Sequence, residues 1–155
     1  MKQLDFVGAF SQAKNRSRIF VTIPQIFGIL FPEYAEYCGR PIRLAMSMYG
    51  TILSGKYWYL ELQDYLLEIG FKASENVQCL FIKHNDDGSK IYLLNYVDDM
   101  LYYGTDGNNV KRFEELLKQR FNVEFMGQAH WYLATWINQL NNFDIDWIKA
   151  VIVNP

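Results

Sequence analysis

The sequence predicts an α+β domain in which an antiparallel sheet is backed by two helices. Three observations lead there. Apolar residues recur at helical spacing in two stretches, Trp58 to Ile69 and Val110 to Phe121. Short apolar runs that read as strands surround them, and one pair flanks Asp87-Gly88, a strong hairpin-turn signal. The order of these elements suits a sheet layered against helices. With 155 residues, half of them hydrophobic and 17% aromatic, the chain can bury the core that such layers need.

In chain order, "KQLDFVGAF" (Lys2–Phe10) predicts a first strand ending in a small-residue bend. "NRSR" is a polar turn, and "IFVTIP" (Ile19–Pro24) is a second strand stopped by its proline. Residues 25 to 41 contain Gly28, Pro32, Gly39 and Pro41 and read as an irregular connection. Trp58, Leu62, Tyr65, Leu66 and Ile69 then mark a helix, with Gly70 where a C-terminal cap belongs. "QCLFIK" and "KIYLLNYV" are strands on either side of "HNDDGS", and "MLYYG" (Met100–Gly104) is another. The second helix spans Asn108–Phe121, with Asn108 or Asn109 as cap and a buried face of Val110, Phe113, Leu116, Leu117 and Phe121. "HWYLATWI" (His130–Ile137) closes the series as a strand.

Composition excludes several classes. The net charge of -2 leaves no bulk basic footprint for nucleic acid, so any such contact must be local. Cys38 and Cys79 form no CxxC pair and suit free thiols in a reducing compartment. His84 and His130 have no partners at zinc-ligand spacing. No apolar run reaches the ~20 residues of a membrane span, and the N-terminus lacks a signal-peptide core. The expectation is a soluble intracellular domain.

The chemistry concentrates in "KIYLLNYVDDMLYYG", where Asp98 and Asp99 sit between apolar runs. A hairpin with two solvated turn residues is one explanation. Against it, Asp-Asp is not among the favoured two-residue turns, and adjacent like charges repel. Adjacent carboxylates do suit a hard divalent cation, which takes oxygen ligands. Successive strand residues face opposite ways, so a third carboxylate must come from another strand. Asp5, near the end of the first strand and five positions before Phe10, is the candidate.

Taken together, these stretches resemble a reverse transcriptase of the copia type of LTR retrotransposon. "QLDFVGAF" resembles the first palm motif of that family, and "LLNYVDDMLYYG" its YVDD motif. "MSMYG....GKYWY", "LLEIGFKASENVQCLFIK" and "FMGQAHWYLA" follow in the family's order, so the resemblance runs from about Gln3 to Ile137. It implies a polymerase palm with a ferredoxin-like sheet over residues 1–137, followed by a poorly defined tail, 138–155. Fingers, thumb and RNase H are expected to lie outside this chain.

By the same resemblance, Asp5, Asp98 and Asp99 would be the catalytic carboxylates and the ligands of two Mg²⁺ ions, with Mn²⁺ as a substitute. Phe10 would lie under the sugar of the incoming nucleotide and favour deoxynucleotides, although the residue alone reads more readily as core. Tyr96 would border the nucleotide and primer end. Phe125, Met126 and Gly127 resemble the turn that grips the primer. The implied partners are an RNA template, a DNA primer, deoxynucleoside triphosphates and the remaining polyprotein regions, in the cytoplasm or a virus-like particle.

The pattern is broken in places. "SMYGTILSG" puts Leu53 where the family has a nucleotide-contacting glutamine, and leucine has no hydrogen-bonding side chain. Basic candidates for a nucleic-acid track are scattered: Lys14, Arg16, Arg18, Lys111, Arg112 and Arg120. Two other readings therefore stay open: a folded, non-catalytic transposon remnant, and an unrelated ferredoxin-like domain with an incidental carboxylate pair.

Overall fold

The structure is a computed structural model that describes residues 1–137; the expected tail from 138 onward lies outside the described residues. Strand β1 (Lys2–Phe6) is shorter than the Lys2–Phe10 run predicts. Gly8 turns the chain with φ 65°, a left-handed backbone that glycine takes without strain, and a one-turn helix α1 (Ala9–Gln12) follows. β2 (Phe20–Thr22) and β3 (Pro41–Arg43) pair as a small sheet of their own. The connection between them is not irregular: it holds helix α2 (Gln25–Leu30) and a 3₁₀ turn over Pro32–Tyr37. Pro24 and Pro32 stand at the starts of these elements, where a missing N–H removes no helical hydrogen bond.

Helix α3 (Ser54–Glu68) contains the expected apolar stripe. Its end closes as the glycine predicts, with Gly70 at φ 93° and the Phe71 N–H donating to the Leu66 carbonyl at 2.9 Å. Then come β4 (Lys72–Ala73), β5 (Leu80–His84), β6 (Lys90–Tyr96) and β7 (Asp99–Gly104). Helix α4 (Gly107–Arg120) is capped by Asp106, whose carboxylate accepts from the Asn109 N–H at 2.8 Å. Neither Asn108 nor Asn109 is the cap. The Asn109 side chain is engaged elsewhere, donating to Asp87 Oδ2 and Ser89 Oγ and tying the helix to the β5–β6 loop.

β8 (Val123–Gln128) follows α4. The single strand expected over His130–Ile137 is instead a hairpin of β9 (Trp131–Tyr132) and β10 (Thr135–Trp136). Leu133 and Ala134 both take positive φ, 48° and 61°, and this reverses the chain.

Six strands form one antiparallel sheet in the order β4-β5-β6-β7-β1-β8. One face packs on α3 and α4 through Leu4, Phe6, Leu93, Met100 and Tyr102 against Trp58, Leu62, Leu66, Phe113 and Leu117, all buried. Each such side chain contributes on the order of 1.5–3 kcal/mol by leaving water. The other face carries a smaller cluster of Leu101, Ala129 and Tyr132. α4 lies so close to β7 that a Cβ on Gly104 would fall 2.3 Å from Val110 Cγ2. The architecture is therefore α+β, as expected.

Candidate active site

Alternation along β1 sends Leu4 and Phe6 into the helix-side core and leaves Asp5 on the other face. Asp99, the first residue of β7, is its direct cross-strand partner. The same register places Tyr96 opposite Asp99 and Glu124 opposite Asp5. A row Tyr96–Asp99–Asp5–Glu124 thus crosses four strands. Asp98 joins it from the two-residue loop Val97–Asp98 that links β6 to β7. The structure therefore brings together the three aspartates singled out in the sequence. It adds Glu124, which no local pattern reveals because its neighbourhood depends on the β1–β8 register.

The electrostatics follow from this crowding. Partial burial pushes the Asp5 carboxyl above the ordinary carboxylate range, and the charges of Asp98, Asp99 and Glu124 push it further the same way. The Gln3 amide reaches Asp99 Oδ1 at 3.4 Å, a long contact. Among the described residues the salt bridges lie elsewhere: Lys2–Glu114, Arg16–Asp64 and Arg120–Glu61. Arg16 and Arg120, two of the scattered basic candidates, are thereby occupied by carboxylates.

The loop that presents Asp98 has a strained backbone. Val97 sits at φ 57°, where a β-branched residue is a steric outlier costing about 1–3 kcal/mol. Both carbonyls of the loop are held. The buried Trp58 indole N–H donates to the Val97 carbonyl at 2.5 Å, and the Phe6 N–H donates to the Asp98 carbonyl at 2.9 Å. The Trp58 ring is itself fixed edge-on by Phe6 and Phe121, with centroids 4.9 and 5.5 Å away.

The remaining candidates separate. Phe10 is half-buried at the rim of the core with its ring 4.4 Å from that of Tyr49. Tyr96 is largely exposed. Leu53 packs against the core at the start of α3. Phe125, Met126 and Gly127 do not form a turn: they lie within β8, where Phe125 pairs with Leu4 and Gly127 with Gln3 of β1. Gly127, at φ 77°, marks the place where the β1–β8 register shifts, so the glycine serves a bulge rather than a chain reversal. Phe125 packs on the core beneath Lys118, whereas Met126 is exposed.

Among the described residues, no three His, Cys, Asp or Glu side chains form a ready metal-holding group, and no helix is long and apolar enough to cross a membrane. The arrangement offers two facing carboxylates, a third on the adjoining turn, and unbalanced negative charge. Hard cations suit such donors, and Mg²⁺ in particular is held by one or two carboxylates plus phosphate oxygens rather than by an all-protein cage.

The family model described as reverse transcriptase (RNA-dependent DNA polymerase) matches residues 1–152. The chain is 33% identical over 134 residues to the retrovirus-related Pol polyprotein from transposon RE2 of Arabidopsis thaliana, covering 86% of this chain and 9% of that protein. The corresponding polyprotein from transposon RE1 of the same plant is 32% identical with the same coverage. The transposon Ty1-DR4 Gag-Pol polyprotein of Saccharomyces cerevisiae is 26% identical over 125 residues, 80% of this chain and 7% of its own length. The chain thus spans less than a tenth of these relatives. No solved structure matches it.

Proposed function

The chain belongs to the reverse transcriptase (RNA-dependent DNA polymerase) family, in the copia-type branch, and from that premise we propose that its six-stranded sheet is the palm of an RNA-directed DNA polymerase. The observation that carries this reading is the direct pairing of Asp5 with Asp99 beside the Asp98 turn, on the sheet face away from the helices. We read the fold as the ferredoxin-like palm over residues 1–137. It would extend a DNA primer on an RNA template using deoxynucleoside triphosphates, together with fingers, thumb and RNase H regions of a polyprotein.

In this reading Asp5 and Asp98 hold two Mg²⁺ ions, or Mn²⁺ in their place, with Asp99 a weaker ligand nearer the primer end. When bound, the ions supply activation of the primer 3′-hydroxyl and neutralisation of the leaving pyrophosphate. The donor chemistry and the unpaired carboxylate charge fit that group. Phe10 would present its ring edge to the sugar of the incoming nucleotide and exclude a 2′-hydroxyl, steadied by Tyr49. Tyr96, exposed in the same row as Asp99, would border the nucleotide and primer terminus. On β8, Met126 and Gly127 are available to the primer, while Phe125 serves packing. On this reading the protein works in the cytoplasm, within a virus-like particle when its parent polyprotein is intact.

Primer extension on an RNA template with Mg²⁺ tests the proposal, with the chain alone and joined to fingers and thumb. Extension by the joined protein that disappears in Asp98→Asn is the expected result. No extension in either form, or extension that survives Asp98→Asn, sinks it. A second reading, a folded but non-catalytic remnant, is favoured by Leu53, which packs against the core where the family has a polar nucleotide contact.

A further inference from the structure

We infer that Trp58 is a positioning residue: its indole N–H holds the Val97–Asp98 turn and so sets the place of the Asp98 and Asp99 carboxylates. The inference rests on the polymerase reading for what those carboxylates bind, but its physical argument is independent. Val97 has the wrong backbone for a β-branched residue, so the turn relaxes unless its neighbours over-determine it. Two hydrogen bonds do so, from the Phe6 N–H to the Asp98 carbonyl and from Trp58 Nε1 to the Val97 carbonyl. The first is part of the sheet. The second comes from a helix and is the only one of the two that a side-chain substitution can remove.

Trp58 suits this role because it cannot move. It is 1% exposed, and Phe6 and Phe121 meet it edge-on. Indole has a donor and no acceptor, so the N–H must find a carbonyl once buried. The contact also links the turn to the segment before α3. Leu53 immediately precedes the helix that carries Trp58, so a shift of α3 reaches the carboxylates through one hydrogen bond.

The test uses the whole chain and Mn²⁺ as probe. Trp58→Phe removes the donor and keeps an aromatic ring. The expected result is a folded variant whose Mn²⁺ affinity is about 5- to 10-fold weaker. Val97→Gly, which leaves no strain for a released turn to relieve, should enlarge the stability loss caused by Trp58→Phe, a non-additivity that simple core packing does not produce. Wild-type Mn²⁺ affinity in a folded Trp58→Phe chain, or strict additivity with Val97→Gly, overturns the inference. Should Trp58→Phe not fold, amide and indole hydrogen exchange on the wild-type chain decides. A Trp58 indole N–H that exchanges slowly, together with a protected Asp99 amide, supports the hook, and exchange at the rate of free indole refutes it. If wild-type Mn²⁺ binding does not depend on Asp5 and Asp98, the polymerase reading fails, and the exchange and coupling results still judge Trp58.

Discussion

Asp5 and Asp99 face each other directly across β1 and β7, two like charges on one side of a sheet. Such a pair opposes folding and is tolerable only if something else is gained from it. Directly opposed like charges cost on the order of 0.2–1 kcal/mol. Asp5→Asn is therefore expected to stabilise the chain at pH 7 by about that amount in urea denaturation. The pH dependence has a definite sign. The folded Asp5 carboxyl titrates above its unfolded value, so the folded state binds more protons between the two. Stability conferred by protonated Asp5 is present in acid and lost as pH rises through the raised value. The advantage of Asp5→Asn should accordingly grow from acid to neutral pH; an Asp5→Asn chain less stable than wild type at pH 7 contradicts this account.

A cation that balances those charges should reverse the penalty. Millimolar Mn²⁺ or Mg²⁺ is expected to raise the melting temperature of the wild-type chain, since a ligand that binds only the folded state stabilises it by mass action. The same additions should leave Asp5→Asn/Asp98→Asn unmoved. Equal shifts in both chains would mean that the ions act elsewhere.

Val97→Gly is expected to stabilise the isolated domain. A left-handed residue costs about 1–2 kcal/mol in L-amino acids, of which glycine's extra unfolded-state freedom takes back roughly 0.5–1. Val97 is only 37% exposed, so the burial its side chain loses offsets part of this gain. A higher urea midpoint at unchanged slope, corresponding to at most about 0.5–1 kcal/mol of unfolding free energy, is the expected signature.

Gly104→Ala should destabilise by about 1–3 kcal/mol, because its methyl would meet Val110 Cγ2 in a packed interface. Val110→Ala removes that atom. The double variant should be more stable than the sum of the single effects allows, measured by chemical denaturation of all four chains.

Glu114 separates two kinds of partnership. Its Oε1 accepts from the buried Tyr102 hydroxyl at 2.7 Å and from Lys2 Nζ at 2.8 Å. Glu114→Gln keeps an acceptor for the tyrosine and loses only a half-exposed ion pair, about 0–1 kcal/mol. Glu114→Ala leaves a buried hydroxyl unpaired and should cost about 1–3 kcal/mol. Burial, then the Glu114 hydrogen bond and charge, pushes Tyr102 far above the normal phenol range. Tyr102 should therefore ionise only when the protein unfolds in alkaline titration.

What could be read in advance was what is local. The α3 and α4 stripes and the Asp87-Gly88 hairpin declare themselves within a few residues, because helical periodicity and turn chemistry are short-range. Asp106 does not stand out as a cap because Asn108 and Asn109 have equal intrinsic claims, and only the β5–β6 loop decides what Asn109 binds. The α2 segment hid behind its prolines. Glu124 and the Trp58–Val97 contact were not legible at all, for both depend on partners brought together by the completed sheet. The aspartates fell between these cases. The placement of Asp98 and Asp99 between apolar runs raises their question, and strand alternation calls for a third carboxylate that Asp5 can supply, with the family likeness adding the role.

The strand order has a consequence in time. β1 leaves the ribosome before the other strands of its sheet, yet its two neighbours there are β7 and β8, with Lys2 opposite both Tyr102 and Gln128. β5, β6 and β7 can zip together as a meander while β1 waits. At roughly 5–20 residues per second, synthesis alone delays its first partner by several seconds, and closing so long a loop is intrinsically slow. Asp5 therefore meets Asp98 and Asp99 near the end of folding. The carboxylates come together only once nearly the whole domain exists, so a partly made chain folds its scaffold before it acquires the charge cluster that the scaffold exists to hold.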